Sequence, residues 1–166
     1  MRSSSTLSGI WNSTTVLIFM PSLETIGSDL YFYYSYYIEE VDLSSLKEVG
    51  GQIYINQSNY LETIDLSSLE EVGSQFYIYY ATNLDALELD SLTDVGGTMT
   101  ISYNTAMETL SAPLLENLSG NLYIQDNTSL NTIDLSSLYC VDDFTIEGND
   151  LSEDDQYDLL VQLTGC

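Results

Sequence analysis

The sequence predicts an all-β chain: a parallel β-helix-like solenoid of about six 23-residue coils, closed at its C-terminal end by a short helix. Three observations carry this reading. Leucine recurs at Leu23, Leu46, Leu69, Leu92, Leu115 and Leu138, a constant step of 23 residues. Other apolar columns keep the same step. Within each unit, apolar and polar residues alternate with period two, as in "LYI" and "IDL", the pattern of a half-buried strand.

The register opens at Leu7, with Ile18 and Met20 in frame, and runs to Asn149, so the repeats span about residues 7–149. Three residues after each repeat leucine stand Ile26, Val49, Val72, Val95, Leu118 and Val141. The "LYI" segment adds two inward columns, Leu30 to Leu122 and Phe32 to Ile124. The column from Ile38 to Leu130 follows. The "IDL" segment then supplies the columns from Val41 to Ile133 and from Leu43 to Leu135. β-Branched and aromatic residues crowd these positions, as pleated surfaces prefer. Gly50-Gly51, Gly96-Gly97 and Ser119-Gly120 read as turns. No repeat segment is long enough for a typical helix. Each unit is therefore one coil, and neighbouring coils pair as parallel strands about 4.8 Å apart.

After Asn149 the pattern changes. "LSEDDQYDLLVQLTGC" reads as a helix in a cap at 150–166, with Ser152 as N-cap, acids in the first turn, and Leu159, Leu160 and Leu163 on its apolar face; Gly165 can end it. A solenoid needs its open end covered. The two cysteines, Cys140 and Cys166, flank this helix, and an even count predicts a disulfide in an oxidising compartment. No comparable cap precedes Leu7, so that end reads as truncated or docked, with an open edge suited to end-to-end self-association. The whole chain, 1–166, reads as a single solenoid domain.

The charge balance excludes several functions. Twenty-six Asp and Glu face two basic residues, Arg2 and Lys47, for a formal charge of −24. Such a chain repels nucleic-acid backbones and anionic membrane surfaces. No apolar run reaches membrane-span length, and no signal sequence is visible at the N-terminus. The chain has no histidine, the commonest general base and zinc ligand. Carboxylates are too widespread to single out a catalytic pair, and no basic constellation stands by to stabilise an oxyanion. The reading is non-enzymatic.

Three columns are candidates for more than architecture. Asn12, Asn104, Asn127 and Asn149, with Ser35, Ser58 and Ala81 between, read as an inward ladder satisfying backbone groups. Asn12 and Asn127 also head N-glycosylation sequons, as do Asn56 and Asn117, and an inward Asn cannot take a glycan. The outward positions of the "LYI" strand gather Tyr31, Tyr54, Tyr77 and Tyr123, with Tyr33 and Tyr79 alongside and Tyr34, Tyr80 and Tyr103 next. Tyrosine gives large amphipathic contact area at small entropic cost, so this face is the candidate binding surface for a protein or a glycan. The "IDL" strand presents Asp42, Asp65 and Glu88 in one row. These are the candidate Ca²⁺ ligands, since calcium bridges carboxylates flexibly, although no DxDxDG loop is present. No other cofactor is expected.

The units "LEEVG…FYI…NLDALEL" and "LENLSGNLYIQDNTSLNTIDL" resemble the receptor L-domain-like repeats of the leucine-rich-repeat superfamily. The resemblance covers nearly the whole chain. It implies a right-handed solenoid and an extracellular or cell-surface location, as in receptor ectodomains and in fungal and bacterial surface proteins. It carries no binding residue across, because ligand contacts vary among such proteins. The expected function is recognition or adhesion at the cell surface. The alternative is a structural scaffold or spacer.

Overall fold

The computed structural model describes residues 16–164. Leu7, Asn12, Gly165 and Cys166 lie outside them. The chain winds through three strands per coil, and each strand finds its partner about 23 residues away. The first described coil carries β1 (Val16–Phe19), β2 (Thr25–Ile26) and β3 (Leu30–Tyr33). The second carries β4 (Ile38–Asp42), β5 (Glu48–Val49) and β6 (Ile53–Asn56). Then come β7 (Thr63–Asp65), β8 (Glu71–Val72) and β9 (Phe76–Tyr79), followed by β10 (Ala86–Glu88), β11 (Asp94–Val95) and β12 (Met99–Ser102). The last coils hold β13 (Thr109–Ser111), β14 (Asn117–Leu118), β15 (Leu122–Gln125), β16 (Thr132–Asp134) and β17 (Phe144–Glu147). Helix α1 (Glu153–Leu163) follows.

All strand pairings are parallel, which makes the described chain a β-solenoid. Its broadest side is a six-stranded sheet, β17-β15-β12-β9-β6-β3, formed by the "LYI" segments. The register is strict: Leu30 stands beside Ile53, Ile53 beside Phe76, Phe76 beside Met99 and Met99 beside Leu122. The "IDL" segments form two three-stranded sheets, β1-β4-β7 and β10-β13-β16. A third side, absent from the sequence expectation, is a five-stranded sheet of the two-residue segments β2, β5, β8, β11 and β14. Its strands are too short to show a period. They are strands because Ile26, Val49, Val72 and Val95 point inward while neighbouring coils supply the ladder.

The predicted apolar columns form one continuous core. Leu30, Leu46, Ile53, Leu69, Phe76, Leu92, Met99, Leu115, Leu122 and Leu138 are fully buried. Leu23, Leu118 and Ile133 pack against the core while keeping some exposure. This burial is the main favourable term in folding the coils.

Two details explain residues that the repeat holds constant. The glycines after "EV" and "DV" serve close stacking. A Cβ on Gly73 would meet the carbonyl oxygen of Gly50, and one on Gly96 would meet that of Gly73, so the backbones of successive coils approach more closely there than a side chain permits. The aspartate of "IDLSS" ties the corner that follows it. Asp42 Oδ1 accepts from Ser44 N at 3.0 Å, Asp65 Oδ1 from Ser67 N at 3.0 Å, and Asp134 Oδ1 from Ser136 N at 3.1 Å.

The helix covers the C-terminal end as expected. Ser152 Oγ accepts from Asp155 N at 3.1 Å, an N-cap, and Leu159 and Leu163 are buried. Leu160 keeps partial exposure. The last coil also exposes carbonyls that no further coil can pair. Gln162 Nε2 donates to Leu135 O at 2.6 Å and Leu138 O at 2.7 Å, and Gln156 Nε2 donates to Ile146 O at 3.3 Å. Two glutamines six residues apart thus replace part of the missing ladder. An antiparallel bridge between Cys140 and Thr164 anchors the helix end to the last coil.

Candidate recognition face

The sides of the solenoid differ in chemistry. The side built from β5, β8 and β11 presents Glu48, Glu71 and Asp94, with Glu70 beside them. The "IDL" side presents Glu40, Asp42, Asp65, Glu88 and Asp134. On the six-stranded sheet, no residue of β3, β6, β9, β12 or β15 is charged; the first strand carboxylate is Glu147, on the terminal β17. Its outward positions are tyrosine, amide and hydroxyl.

The pleat puts the tyrosines there. Leu30 and Phe32 point inward, so Tyr31 and Tyr33 point out, and the 23-residue step aligns the next coils behind them. Tyr31 stacks on Tyr54 with ring centroids 4.8 Å apart and planes 7° from parallel, and Tyr54 stacks on Tyr77 at 4.8 Å and 5°. Thr100 interrupts the row after Tyr77. Tyr123 therefore stands apart from the stack, accepting from Asn121 Nδ2 at 2.7 Å and donating to Asp143 Oδ2 at 3.4 Å. A second group surrounds the turn after the strand. Tyr33 meets Tyr34 edge-on at 4.1 Å, Tyr79 meets Tyr80 at 4.7 Å and Tyr103 at 5.2 Å, and Tyr80 stacks on Tyr103 at 4.9 Å and 8°. Tyr77 touches Tyr79 at 5.6 Å, and Tyr33 lies 6.4 Å from Tyr54, so the two groups form one connected cluster. Tyr36 joins it at 5.7 Å from Tyr34. Sequence reasoning missed Tyr36, since no neighbouring coil repeats an aromatic at that position.

The turn group has unusual backbone. Tyr34, Gln57, Tyr80, Tyr103 and Asp126 all have positive φ, between 52° and 59°, and Gly148 completes the column at 69°. Aspartate and glycine tolerate this left-handed region, whereas a bulky side chain strains it. Behind the column runs the asparagine ladder. Asn104 and Asn127 are fully buried. Ala81 N donates to Asn104 Oδ1 at 2.9 Å, Asn104 N to Asn127 Oδ1 at 2.9 Å, and Asn127 N to Asn149 Oδ1 at 3.2 Å. Their amides donate to Ile78 O, Ile101 O and Ile124 O. The ladder is inward, so Asn127 cannot accept a glycan. Ser35 and Ser58, in the same column, keep buried hydroxyls without a partner among the described residues.

Proximity shifts the phenols. Tyr33 is pushed up to about 12, first by its hydrogen bond with Tyr34, then by partial desolvation and the neighbouring phenols. Tyr103 is raised chiefly by its hydrogen bond to the Asp126 carboxylate. Tyr77 is raised by burial, with Tyr54 and Tyr79 adding to it. All three stay neutral at physiological pH.

The candidate calcium ligands Asp42, Asp65 and Glu88 line one open concavity of about 470 Å³, with Glu40 at its edge. Asp42 and Asp65 each hold a turn, as described. Among the described residues, no three His, Cys, Asp or Glu side chains come together as a metal site. Cys140 lies beside the helix end, and its expected partner Cys166 is outside the described residues. No described helix is long and apolar enough to cross a membrane.

The fold and the site together define a β-solenoid with one tyrosine-clad side on which β3, β6, β9, β12 and β15 carry no charge. No family model, curated protein or solved structure matches the chain.

Proposed function

We propose that this chain is a non-enzymatic recognition or adhesion module of the receptor L-domain-like type, working outside the cell or at its surface. It engages a glycan or a protein through the outward side of the six-stranded sheet. One observation carries the reading: in a chain of net charge −24, the tyrosine cluster occupies the side whose strands β3 to β15 are free of charge. An acidic surface maintains solubility elsewhere, while aromatic rings flanked by amides and hydroxyls supply contact area and adaptable hydrogen bonds. The asparagine ladder supports kinship with leucine-rich repeats. A Cys140–Cys166 disulfide fits the same compartment, and the Cys140–Thr164 bridge places the chain two residues from Cys166 next to Cys140. Mass spectrometry after alkylation without reduction tests it: the bridged chain takes up no label.

A structural scaffold is the second reading, favoured by the Tyr31–Tyr54–Tyr77 stack, in which the rings spend their faces on one another. Glycan and surface-protein arrays separate the two. Recognition requires binding that persists in high salt, survives Glu48→Lys with Glu71→Lys, and is lost with Tyr33→Ser plus Tyr79→Ser. Absence of binding on both arrays, with concentration-dependent growth in light scattering, would favour the scaffold.

A further inference from the structure

We infer that the turn row Tyr34, Tyr80 and Tyr103 is the contact strip for an uncharged polysaccharide laid along the solenoid axis. This rests on the recognition reading above and names its ligand class.

The backbone gives the first reason. These three tyrosines occupy left-handed positions with φ of 52°, 57° and 59°. The same column holds Asp126 and Gly148, residue types that adopt this region more readily, so the turn does not require an aromatic. The apolar core does not explain the rings either. Tyr34 is 43% exposed and Tyr80 37% exposed, while Tyr103 is half-buried against Tyr79 and Tyr80, and none of the three belongs to the apolar core. An aromatic that strains the chain and stays partly in solvent is a candidate contact residue.

Charge selects the ligand. Polyanions are repelled by the molecule as a whole, and a basic protein is drawn to the acidic sides rather than to this one. An uncharged polyhydroxylated chain meets neither effect. It finds the solvent-facing parts of the rings together with phenol hydroxyls and amides, Gln57 within the row and Asn56 and Gln125 beside it.

Geometry sets the direction. Tyr80 and Tyr103 are offset-stacked at 4.9 Å, one coil apart. Tyr34 lies two coils before Tyr80, about 9.6 Å away, with Gln57 between. The one-coil step from Tyr80 to Tyr103 matches a ligand whose own repeat is a single sugar ring in an extended chain, and the two-coil gap at Gln57 spans two such repeats. Asp126, next in the column after Tyr103, closes the row at its acidic end.

The test is a pull-down on insoluble cellulose, β-1,3-glucan and chitin, with polygalacturonate as the charged comparison, for the wild-type chain and two triple variants. Tyr34→Asn/Tyr80→Asn/Tyr103→Asn places a residue suited to positive φ in each position. Tyr34→Phe/Tyr80→Phe/Tyr103→Phe keeps the rings. The expected result is wild-type retention on at least one uncharged polysaccharide and none on polygalacturonate. The Asn variant loses roughly tenfold or more in affinity with its melting temperature unchanged or higher, and the Phe variant keeps most of the affinity. Undiminished binding by a folded Asn variant overturns the assignment of these residues. A wild-type chain that ignores all three uncharged polymers but binds a protein on the arrays overturns the ligand class and leaves the recognition reading standing. A wild-type chain that binds nothing on either overturns both.

Discussion

Asn104 ties its own coil to the one before it with a single side chain. Its oxygen satisfies Ala81 N and its amide satisfies Ile78 O, both inside the core. Asn104→Ala leaves both groups unpaired, at about 1–3 kcal/mol each, so urea unfolding should report a loss of about 2–6 kcal/mol. Loss of less than about 1 kcal/mol would mean that water replaces the ladder. The phenols make a second prediction. Tyr33 is raised above its ordinary value, so folding favours the protonated ring. Its contribution to stability is complete below pH 10 and is lost as pH climbs toward about 12. Melting temperature should fall across that window in step with tyrosinate absorbance, with part of that absorbance delayed beyond free tyrosine. The outward column was legible in the sequence, because period two and a 23-residue step fix which tyrosines share a side. Their left-handed backbone was not read, although the register aligns Tyr34, Tyr80 and Tyr103 with Asp126 and Gly148, and that alignment was the available signal.

At the scale of the element, the corner glycines and the capping helix carry the sharpest consequences. Gly73→Ala inserts a methyl group against Gly50 O, and the backbone on both sides is held by the ladder bond from Gly73 N to Val49 O. Overpacking of this kind costs about 1–3 kcal/mol, to be read as a lower urea midpoint. The sequence marked these glycines as turns. They do stand at bends, and they also allow close approach between coils, which depends on a neighbour 23 residues away and leaves no local trace. The short strands β2, β5, β8, β11 and β14 escaped for the same reason, since two residues cannot display a period. In the cap, Gln162→Ala strips donors from Leu135 O and Leu138 O. Amide hydrogen exchange should then quicken in α1 and β16 before it changes in β9 or β12, because a solenoid opens from its ends. Uniform quickening throughout would contradict an end-capping role. The helix itself was legible from Ser152 and its leucines. The glutamines were not, since their partners are carbonyls of a distant coil.

The whole molecule sets two acidic sides against one side whose strands are neutral up to β17. Self-repulsion at −24 means that added salt should raise the melting temperature, and calcium at matched ionic strength should do no more than sodium. A surplus from calcium would place a cation on the acidic rows around Asp42 and Asp65. The central claim is that the neutral side meets the ligand, and tyrosine footprinting by hydroxyl radicals tests it most directly. Tyr139 and Tyr157, exposed by 64% and 68% and outside the cluster, serve as internal controls. With an array-identified ligand bound, Tyr33, Tyr34 and Tyr80 should be protected while Tyr139 and Tyr157 oxidise as before. Protection of the controls alone, or equal oxidation of every tyrosine with and without ligand, would contradict the account.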